Sequence, residues 1–448
     1  MTGAIGVGKV VGHSPASGAT LEDWLVYIGH VHPSEMELGL GRVSRVAMRA
    51  GLAQPPFPVA TIGGTNGKGS TVAMLESIWT AAGYRTGAAT SPHVTRFAER
   101  VRVGGREADD GSLVRAFERV EAARTAGDGT PDTLTYFEFA TLASMAVFVE
   151  AGCEVAIMEV GLGGRLDAVN LWDADVAALT SIALDHADWL GSDVSVIATE
   201  KAAIGRAGRP LVVGERSPPD SLAAFARSHD IALVDVGSRP LDALPETSLV
   251  GEHQRRNAAC ALAVVQALEH RLPVADAVAR AALQTVSLVA RFDERAVNAA
   301  SGRPVTTVID VAHNPAGAQA LASAWQARFG AVRGIAVFAA LADKDIEAIT
   351  AALAPCVSCW CCASLAGARA TPIDTLAERV RSGLDAARAD NVPADAAPGV
   401  ASIEQHGSVE AALERALALG DECGVPVLVA GSFVTVTDAE AVFGRRCP

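Results

Sequence analysis

The strongest chemical signal in the sequence is a glycine cluster, Gly63-Gly64-Thr65-Asn66-Gly67-Lys68-Gly69-Ser70-Thr71, between a short apolar run at residues 57–62 and an amphipathic stretch at residues 72–82. That succession predicts strand, loop and helix. Glycines at such a turn let backbone N–H groups approach phosphate oxygens, while the helix N-terminus and Lys68 supply positive potential. The spacing is not the common G-x-x-x-x-G-K-[ST] pattern: its first glycine would fall on Ile62, and Gly69 separates Lys68 from Ser70. An ordinary glycine turn is the plainer reading, but it leaves the lysine and the two hydroxyls in register behind it unexplained.

Further candidates follow the same strand-end logic. Glu159 closes the apolar run Val155-Ala156-Ile157-Met158-Glu159-Val160, and Gly161-Leu162-Gly163-Gly164-Arg165-Leu166-Asp167 comes next. Parallel sheets bind ligands beyond the carboxyl ends of their strands, and a carboxylate there suits magnesium, which prefers hard oxygen ligands. A strand-end acid facing solvent is the alternative. Asp185-His186-Ala187-Asp188-Trp189 again follows an apolar segment, residues 176–182; a lone histidine is more often a satisfied surface or core group than a ligand. Lys201, taken alone, reads as a helix-surface lysine. Cys356, Cys359, Cys361 and Cys362 contain a Cys-x-x-Cys half-site of the kind that binds zinc. Val357, Trp360 and Ala363 argue instead for a buried apolar strand, no second Cys/His pair has zinc-finger spacing, and alternate strand residues face opposite ways.

The elements that must carry these residues alternate. Helical patterns cover residues 137–150, 194–206, 256–268 and 274–283, and apolar strand patterns cover 155–160, 176–182 and 211–213. After Arg291 a second series begins: strands at 305–311, 334–338, 357–363 and 425–430, with helices at 316–327, 346–353 and 373–384. Strands separated by helix-length segments predict parallel sheets covered on both faces. The boundary falls near residues 288–303, and residues 126–133 and 386–399 are expected to be surface connections.

Composition bounds the function. With 448 residues, 50% hydrophobic and 20% charged, the chain can bury two or three cores, which excludes disorder and a small disulfide scaffold. Lys and Arg number 37 against 51 Asp and Glu, a net charge of −14, so no broad basic field favours nucleic acid. No apolar run approaches the ~18–20 residues of a membrane span, and residues 1–20 are glycine-rich rather than signal-like. The eight cysteines without a secretory signal fit a reducing compartment, and a cytoplasmic protein is expected. With no patterned interface visible, a monomer is expected.

In combination the motifs say more. The glycine loop, Thr90-Ser91-Pro92-His93, Leu134-Thr135-Tyr136-Phe137-Glu138-Phe139, Glu159 to Asp167, Ser181-Ile182-Ala183-Leu184-Asp185-His186, Glu200-Lys201-Ala202 and Asp310-Val311-Ala312-His313-Asn314-Pro315 occur in one order. Together they resemble the folylpolyglutamate synthase family, most closely its bacterial members that are also dihydrofolate synthases. That family belongs with the Mur-type amide ligases. The resemblance implies an α/β fold: a large P-loop-containing parallel-sheet domain over residues 1–288, a linker at 289–303 and a Rossmann-like C-terminal domain over 304–448, with the active site in the cleft between them.

It also implies an ATP- and magnesium-dependent ligase that joins L-glutamate to dihydropteroate and to reduced folates. Position by position, Thr65, Asn66, Gly67, Lys68, Gly69 and Ser70 would hold the ATP phosphates, with Lys68 on the transferring one. Ser91 and Glu159 would ligate one magnesium ion, Glu159 and His186 a second, and Lys201 matches a lysine that is carbamylated in the family. Asn257, Arg291 and Asp310 match nucleotide contacts, and His313 a position near the nucleotide and glutamate. The pterin side would involve Met36, Glu37 and Leu38 within residues 24–40, together with Thr135, Tyr136, Phe137, Glu138, Leu166, Asp167 and Ala168; Phe137 is placed to stack on a pterin ring. One departure is Ala290, where the family usually has glycine before the arginine. Two rival readings are a Mur-type peptidoglycan ligase, which expects a further domain before the glycine loop, and a nucleotide-dependent switch whose ATP turnover ignores glutamate. A folylpolyglutamate synthase without the dihydropteroate activity is a third.

Overall fold

Strands β1 (Val59–Gly63), β2 (Thr86–Ala89), β3 (Val101–Val103), β4 (Arg106–Glu107), β5 (Val155–Glu159), β6 (Val176–Leu179), β7 (Pro210–Val213) and β8 (Ala232–Asp235) build the first sheet, in the order β4-β3-β2-β5-β1-β6-β7-β8. The computed structural model describes residues 14–127, 129–391 and 401–444, so residues 1–13 of the leader and most of the 386–399 connection lie outside the described residues. Strands β1, β5 and β6 are buried along their whole length, which is why they appear in sequence as continuous apolar runs rather than alternating ones. The sheet is mixed rather than wholly parallel. Strands β3 and β4 pair antiparallel at its edge through a turn at Gly104 and Gly105, whose φ values of 57° and 77° match a tight hairpin.

The second sheet comprises β9 (Asp293–Asn298), β10 (Pro304–Ile309), β11 (Gly334–Phe338), β12 (Val357–Ala363), β13 (Ser402–His406) and β14 (Val427–Ala430), in the order β13-β12-β11-β14-β10-β9. All its pairings are parallel except β9 with β10. Residues 289–303, expected as a linker, therefore hold a strand, because the antiparallel ladder from Asp293 opposite Ile309 to Asn298 opposite Pro304 incorporates it into this sheet.

The two sheets belong to two compact units. Among the described residues, one unit takes those up to 248 together with 254–287, and the other takes 249–253 and those from 288 onward. In the first, the helix Lys68–Ala81 follows β1 and buries Val72, Met74, Leu75, Ile78 and Trp79. It starts four residues earlier than the amphipathic pattern at residue 72, which puts Lys68 and Ser70 in its first turn. The helix Leu21–Ile28 starts with a capping box between Thr20 and Asp23, and its Trp24 packs against Phe117 with ring centres 6.0 Å apart. Among the described residues no helix is long and apolar enough to cross a membrane.

Candidate active site

Gly64, directly after β1, has a φ of +137°, and a Cβ there would come within 2.1 Å of the Thr180 hydroxyl. No other residue fits that turn. The loop is held from the end of β6: Thr65 N–H donates to the Ser181 carbonyl (2.8 Å), Asn66 N–H to the Ser181 hydroxyl (2.9 Å), and the Thr180 hydroxyl to the Asn66 carbonyl (2.6 Å). The Thr65 hydroxyl bonds both backbone groups of Ala183. Gly67, in the left-handed conformation, precedes the helix that Lys68 opens. A Cβ on Gly67 would meet the Asn257 amide at 2.5 Å, so the structure brings the glycine loop and Asn257 together. Asn257 in turn donates to Gln254 (3.0 Å). The Ser70 hydroxyl is buried with no hydrogen-bond partner.

Lys201 is not a surface lysine. It is 5% exposed, and its ammonium donates to the Gly64 carbonyl at 3.3 Å, while Lys68 donates to the same oxygen at 3.1 Å. Burial first, and the positive charge of Lys68 second, push the Lys201 amine down to about 7, although Asp185, Asp167 and Glu200 oppose the shift. Asp167 is buried at 3% exposure, accepts from the Leu162 and Val169 N–H groups and interacts with Lys68; desolvation raises it to about 6. The Glu159 carboxylate at the end of β5 is 7% exposed and accepts from the Ser91 N–H at 3.1 Å, so two of the expected metal-site residues meet. His186 has a φ of 51°, and its Nε2 lies 3.9 Å from the Asp185 carboxylate.

Of the expected pterin-side residues, Glu37, Thr135 and Glu138 are joined in one hydrogen-bonded group through Arg42. Thr135 and Glu138 form a capping box that starts the helix Tyr136–Glu150. Arg42 bonds Glu138 (3.1 Å) and also Glu37, whose carboxylate lies 3.2 Å from His32. Met36 is exposed; the Phe137 ring lies against Gly161, where a Cβ would come within 2.6 Å of it. Tyr136 sits beneath the Arg100 guanidinium, 5.5 Å from the ring centre, and Arg100 donates to His93 Nδ1 at 2.7 Å. Asp167 caps the short helical turn that holds Ala168, and Leu166 precedes it, partly buried.

In the second unit, Asp310 at the end of β10 accepts from Phe292 N–H (2.8 Å) and Ala312 N–H (2.8 Å). Desolvation raises its carboxyl, with Arg291 acting against it. The Arg291 guanidinium lies 5.4 Å from the Phe433 ring centre, and His313 Nδ1 is 2.9 Å from the Val311 carbonyl. Ala290 and Phe292, on either side of Arg291, both have positive φ, 59° and 49°. The family's usual glycine before the arginine is thus replaced by an alanine forced into a left-handed conformation.

Several residues of these networks were not singled out from sequence. Thr180 and Ser181 bond the glycine loop from more than 110 residues away, and Arg42, His93 and Arg100 gain partners only through the fold. The signal that reaches them is indirect: Thr180, Ser181, Arg42 and His93 lie within or beside a motif run already quoted, and Arg100 lies outside them.

A glycine loop whose Gly64 carbonyl accepts from two lysines, one of them buried, at the carboxyl end of a largely parallel sheet, with a second α/β unit after it, defines an ATP-dependent amide ligase of the Mur type. The Mur ligase middle domain matches residues 62–214, and the Mur ligase, glutamate ligase domain matches residues 290–433. The chain belongs to the dihydrofolate synthase/folylpolyglutamate synthase family: it is 37% identical over 459 residues to the dihydrofolate synthase/folylpolyglutamate synthase of Escherichia coli, covering 98% of this chain and 99% of the relative. The solved structure of E. coli FolC in complex with DHPP and ADP is 36% identical and superposes with a TM-score of 0.83 over 96% of this chain and 99% of that one. The bifunctional folylpolyglutamate synthase/dihydrofolate synthase of Yersinia pestis, solved with AMPPNP and Mn ion, is 37% identical, with a TM-score of 0.81 over 96% of this chain and 100% of that one.

Proposed function

We propose that this chain joins L-glutamate to 7,8-dihydropteroate, giving dihydrofolate, and then adds further glutamates to reduced folates, with ATP activating each acceptor carboxylate. The observation that carries the reading is the pair of ammonium groups, Lys68 and Lys201, on the single carbonyl of Gly64 beside the buried, unpartnered Ser70 hydroxyl. Such a site lacks an anion with many acceptor oxygens, and a polyphosphate supplies one.

A carboxylate is a poor electrophile at neutral pH. Its oxygen attacks the γ-phosphorus of ATP, ADP leaves, and the acyl phosphate so formed is attacked by the glutamate amine; the C–N bond forms, the C–O bond to phosphate breaks, and the amine gives up a proton. Lys68, at the helix start, faces the phosphoryl group being moved, while the backbone N–H groups of residues 65–70 orient the remaining phosphates. Asn257 fixes the loop through Gly67, and Arg291, Asp310 and His313 serve the nucleotide and glutamate from their own unit. Met36, Glu37, Leu38, Thr135 to Glu138 and Leu166 to Ala168 form the pterin side, where the Arg42 bridge between Glu37 and Glu138 keeps two segments in register.

The donor set fits magnesium. Ser91, Glu159 and His186 would hold it at two positions, joined by Lys201 once carbamylation has turned its ammonium into an oxygen ligand. Magnesium would neutralise charge on the transferring phosphoryl group. The lowered Lys201 amine supports this, since the neutral amine is the form that adds CO2. We assign the enzyme to the cytoplasm as a monomer; the free thiols of the described cysteines support the compartment.

The test is ADP release by the purified protein with ATP and magnesium, with dihydropteroate or tetrahydrofolate, each with and without L-glutamate. Glutamate-dependent release with both acceptors is expected. Release with tetrahydrofolate alone would remove the dihydropteroate activity, and release indifferent to glutamate would remove the ligase reading.

A further inference from the structure

Strands β12 and β13 lie at the edge of the second sheet opposite β9, and their parallel register sets Cys359 beside Ser402, Cys361 beside Glu404 and Ala363 beside His406. Side chains two residues apart on a strand share a face. Cys359 and Cys361 therefore lie on one face together with Glu404 and His406, whereas Cys362 points to the other. The alternation that argues against a four-cysteine zinc cluster thus selects two cysteines and joins them to two residues of the neighbouring strand. One donor atom each from Cys361, Glu404 and His406 lie within 4.8 Å of one another, and Cys359 stands two residues before Cys361 on the same face.

We propose that Cys361, Glu404 and His406 form a binding site for a thiophilic divalent cation, with zinc as the ion that fits best, stapling edge strand β13 to the sheet.

A thiolate, an imidazole and a carboxylate supply three donors of a tetrahedral zinc site, whose fourth position water can take. Donors around a tetrahedral zinc stand roughly 3.5 Å apart, so these must close by about an ångström, within reach of side-chain rotation. The His406 Nε2 atom is buried without a hydrogen-bond partner and lies 3.6 Å from the Glu404 carboxylate. Arg415 pairs with both Glu404 oxygens at 2.9 and 3.0 Å, which orients the carboxylate from outside as metal-ligating carboxylates commonly are. The thiolate and the carboxylate bring two negative charges, which the divalent cation neutralises. The Glu404 and His406 side chains are 32% and 16% exposed and give the ion an entrance, while Cys361 is fully buried. Each thiol that coordinates gives its proton to solvent.

The full-length reduced protein, stripped of metal by a chelator, is titrated with Co2+ in the presence of excess Mg2+. One equivalent is expected to produce thiolate-to-cobalt charge-transfer bands and the intense visible bands of a tetrahedral ion, a signature that oxygen-ligand sites around Glu159 cannot give. Cys361→Ser abolishes the charge-transfer bands, and His406→Ala weakens binding by roughly tenfold or more. Cys356→Ser and Cys362→Ser leave both unchanged, and all four variants keep glutamate-dependent ADP release. In the unmutated protein, Zn2+ slows alkylation of Cys361 but not of the exposed Cys423. Absence of charge-transfer bands at saturating Co2+, bands that survive in Cys361→Ser, or alkylation rates indifferent to Zn2+ would each overturn the proposal.

Discussion

Lys68 and Lys201 donate to the same oxygen: their ammonium nitrogens lie 3.1 and 3.3 Å from the Gly64 carbonyl. Two cations so placed repel, and the more deeply buried one is lowered to about 7. Between about pH 7 and the ordinary lysine value, folded Lys201 holds fewer protons than the unfolded chain, so wild-type stability rises with pH across that window. Lys201→Met removes the buried charge. In CO2-free buffer the variant is expected to be more stable than wild type at pH 6, on the order of a few kcal/mol, with the gap closing towards pH 10. Urea unfolding at both pH values measures it, and a gap independent of pH would refute the assignment. Turnover should fall roughly a hundredfold or more. A 13C-bicarbonate label should appear on the wild type and not on Lys201→Met.

Ser70 makes stability and activity diverge. Its hydroxyl is buried and unpartnered, a state that costs roughly 1–3 kcal/mol where no ligand satisfies it. Ser70→Ala should leave the unfolding free energy unchanged or raised by about 1 kcal/mol, while ADP formation drops roughly tenfold to a thousandfold. Lost stability with retained turnover would make the hydroxyl a structural group and remove it from the phosphate site.

Which parts were legible follows from burial. Residues 334–338, 346–353 and 357–363 have the same limits in sequence and structure, because continuous apolar runs mark strands and helices packed on both faces. Strand β2, Thr-Gly-Ala-Ala, is central yet has no bulk, since the Phe148 ring takes the space a Cβ on Gly87 would need. Strands β9 and β13 are largely polar edges whose patterns resemble loops, and the edge strand β8 is only four residues long and mostly exposed. At the site, Lys68, Glu159 and Lys201 could be picked out because they stand in dense motifs. The burial of Lys201 could not, because the loop that covers it comes from more than 130 residues earlier. Arg42 was equally hidden, since its two carboxylate partners come together only through the fold.

Ala290 tests how the chain tolerates its departure from glycine. A left-handed φ of 59° costs an L-residue roughly 1–2 kcal/mol. Ala290→Gly relieves that strain but loses a fully buried methyl, about 0.8 kcal/mol, and gains unfolded-state freedom, so stability should change by less than about 1 kcal/mol. Ala290→Val adds a stiff branched side chain where neither the backbone nor the space allows it, and should cost about 2 kcal/mol or more. Because Phe292 N–H anchors Asp310, the valine variant should also raise the KM for ATP. Thermal unfolding and ATP titration separate these outcomes, and a neutral Ala290→Val would contradict the left-handed backbone.

His93 sets the acid limit of the first unit. Burial first and the Arg100 charge second press its imidazole down to about 4, with Glu99 opposing, so His93 is neutral at physiological pH and accepts the Arg100 hydrogen bond through Nδ1. Between its ordinary value of 6.5 and about 4 the unfolded chain binds a proton that the folded one refuses. Stability is therefore level above pH 6.5 and is lost as the pH falls towards 4. His93→Gln keeps an acceptor for Arg100 without a titrating group. Its unfolding free energy should fall less steeply than that of wild type over that range, by on the order of 1–3 kcal/mol. His253, in the other unit, is lowered to about 4 by burial and Arg291 and leaves a residual slope in the variant. Denaturant unfolding of both proteins at pH 7.0, 5.5 and 4.5 decides the matter: parallel curves would mean that His93 carries a proton when folded, and the Arg100 hydrogen bond to Nδ1 would have to be abandoned.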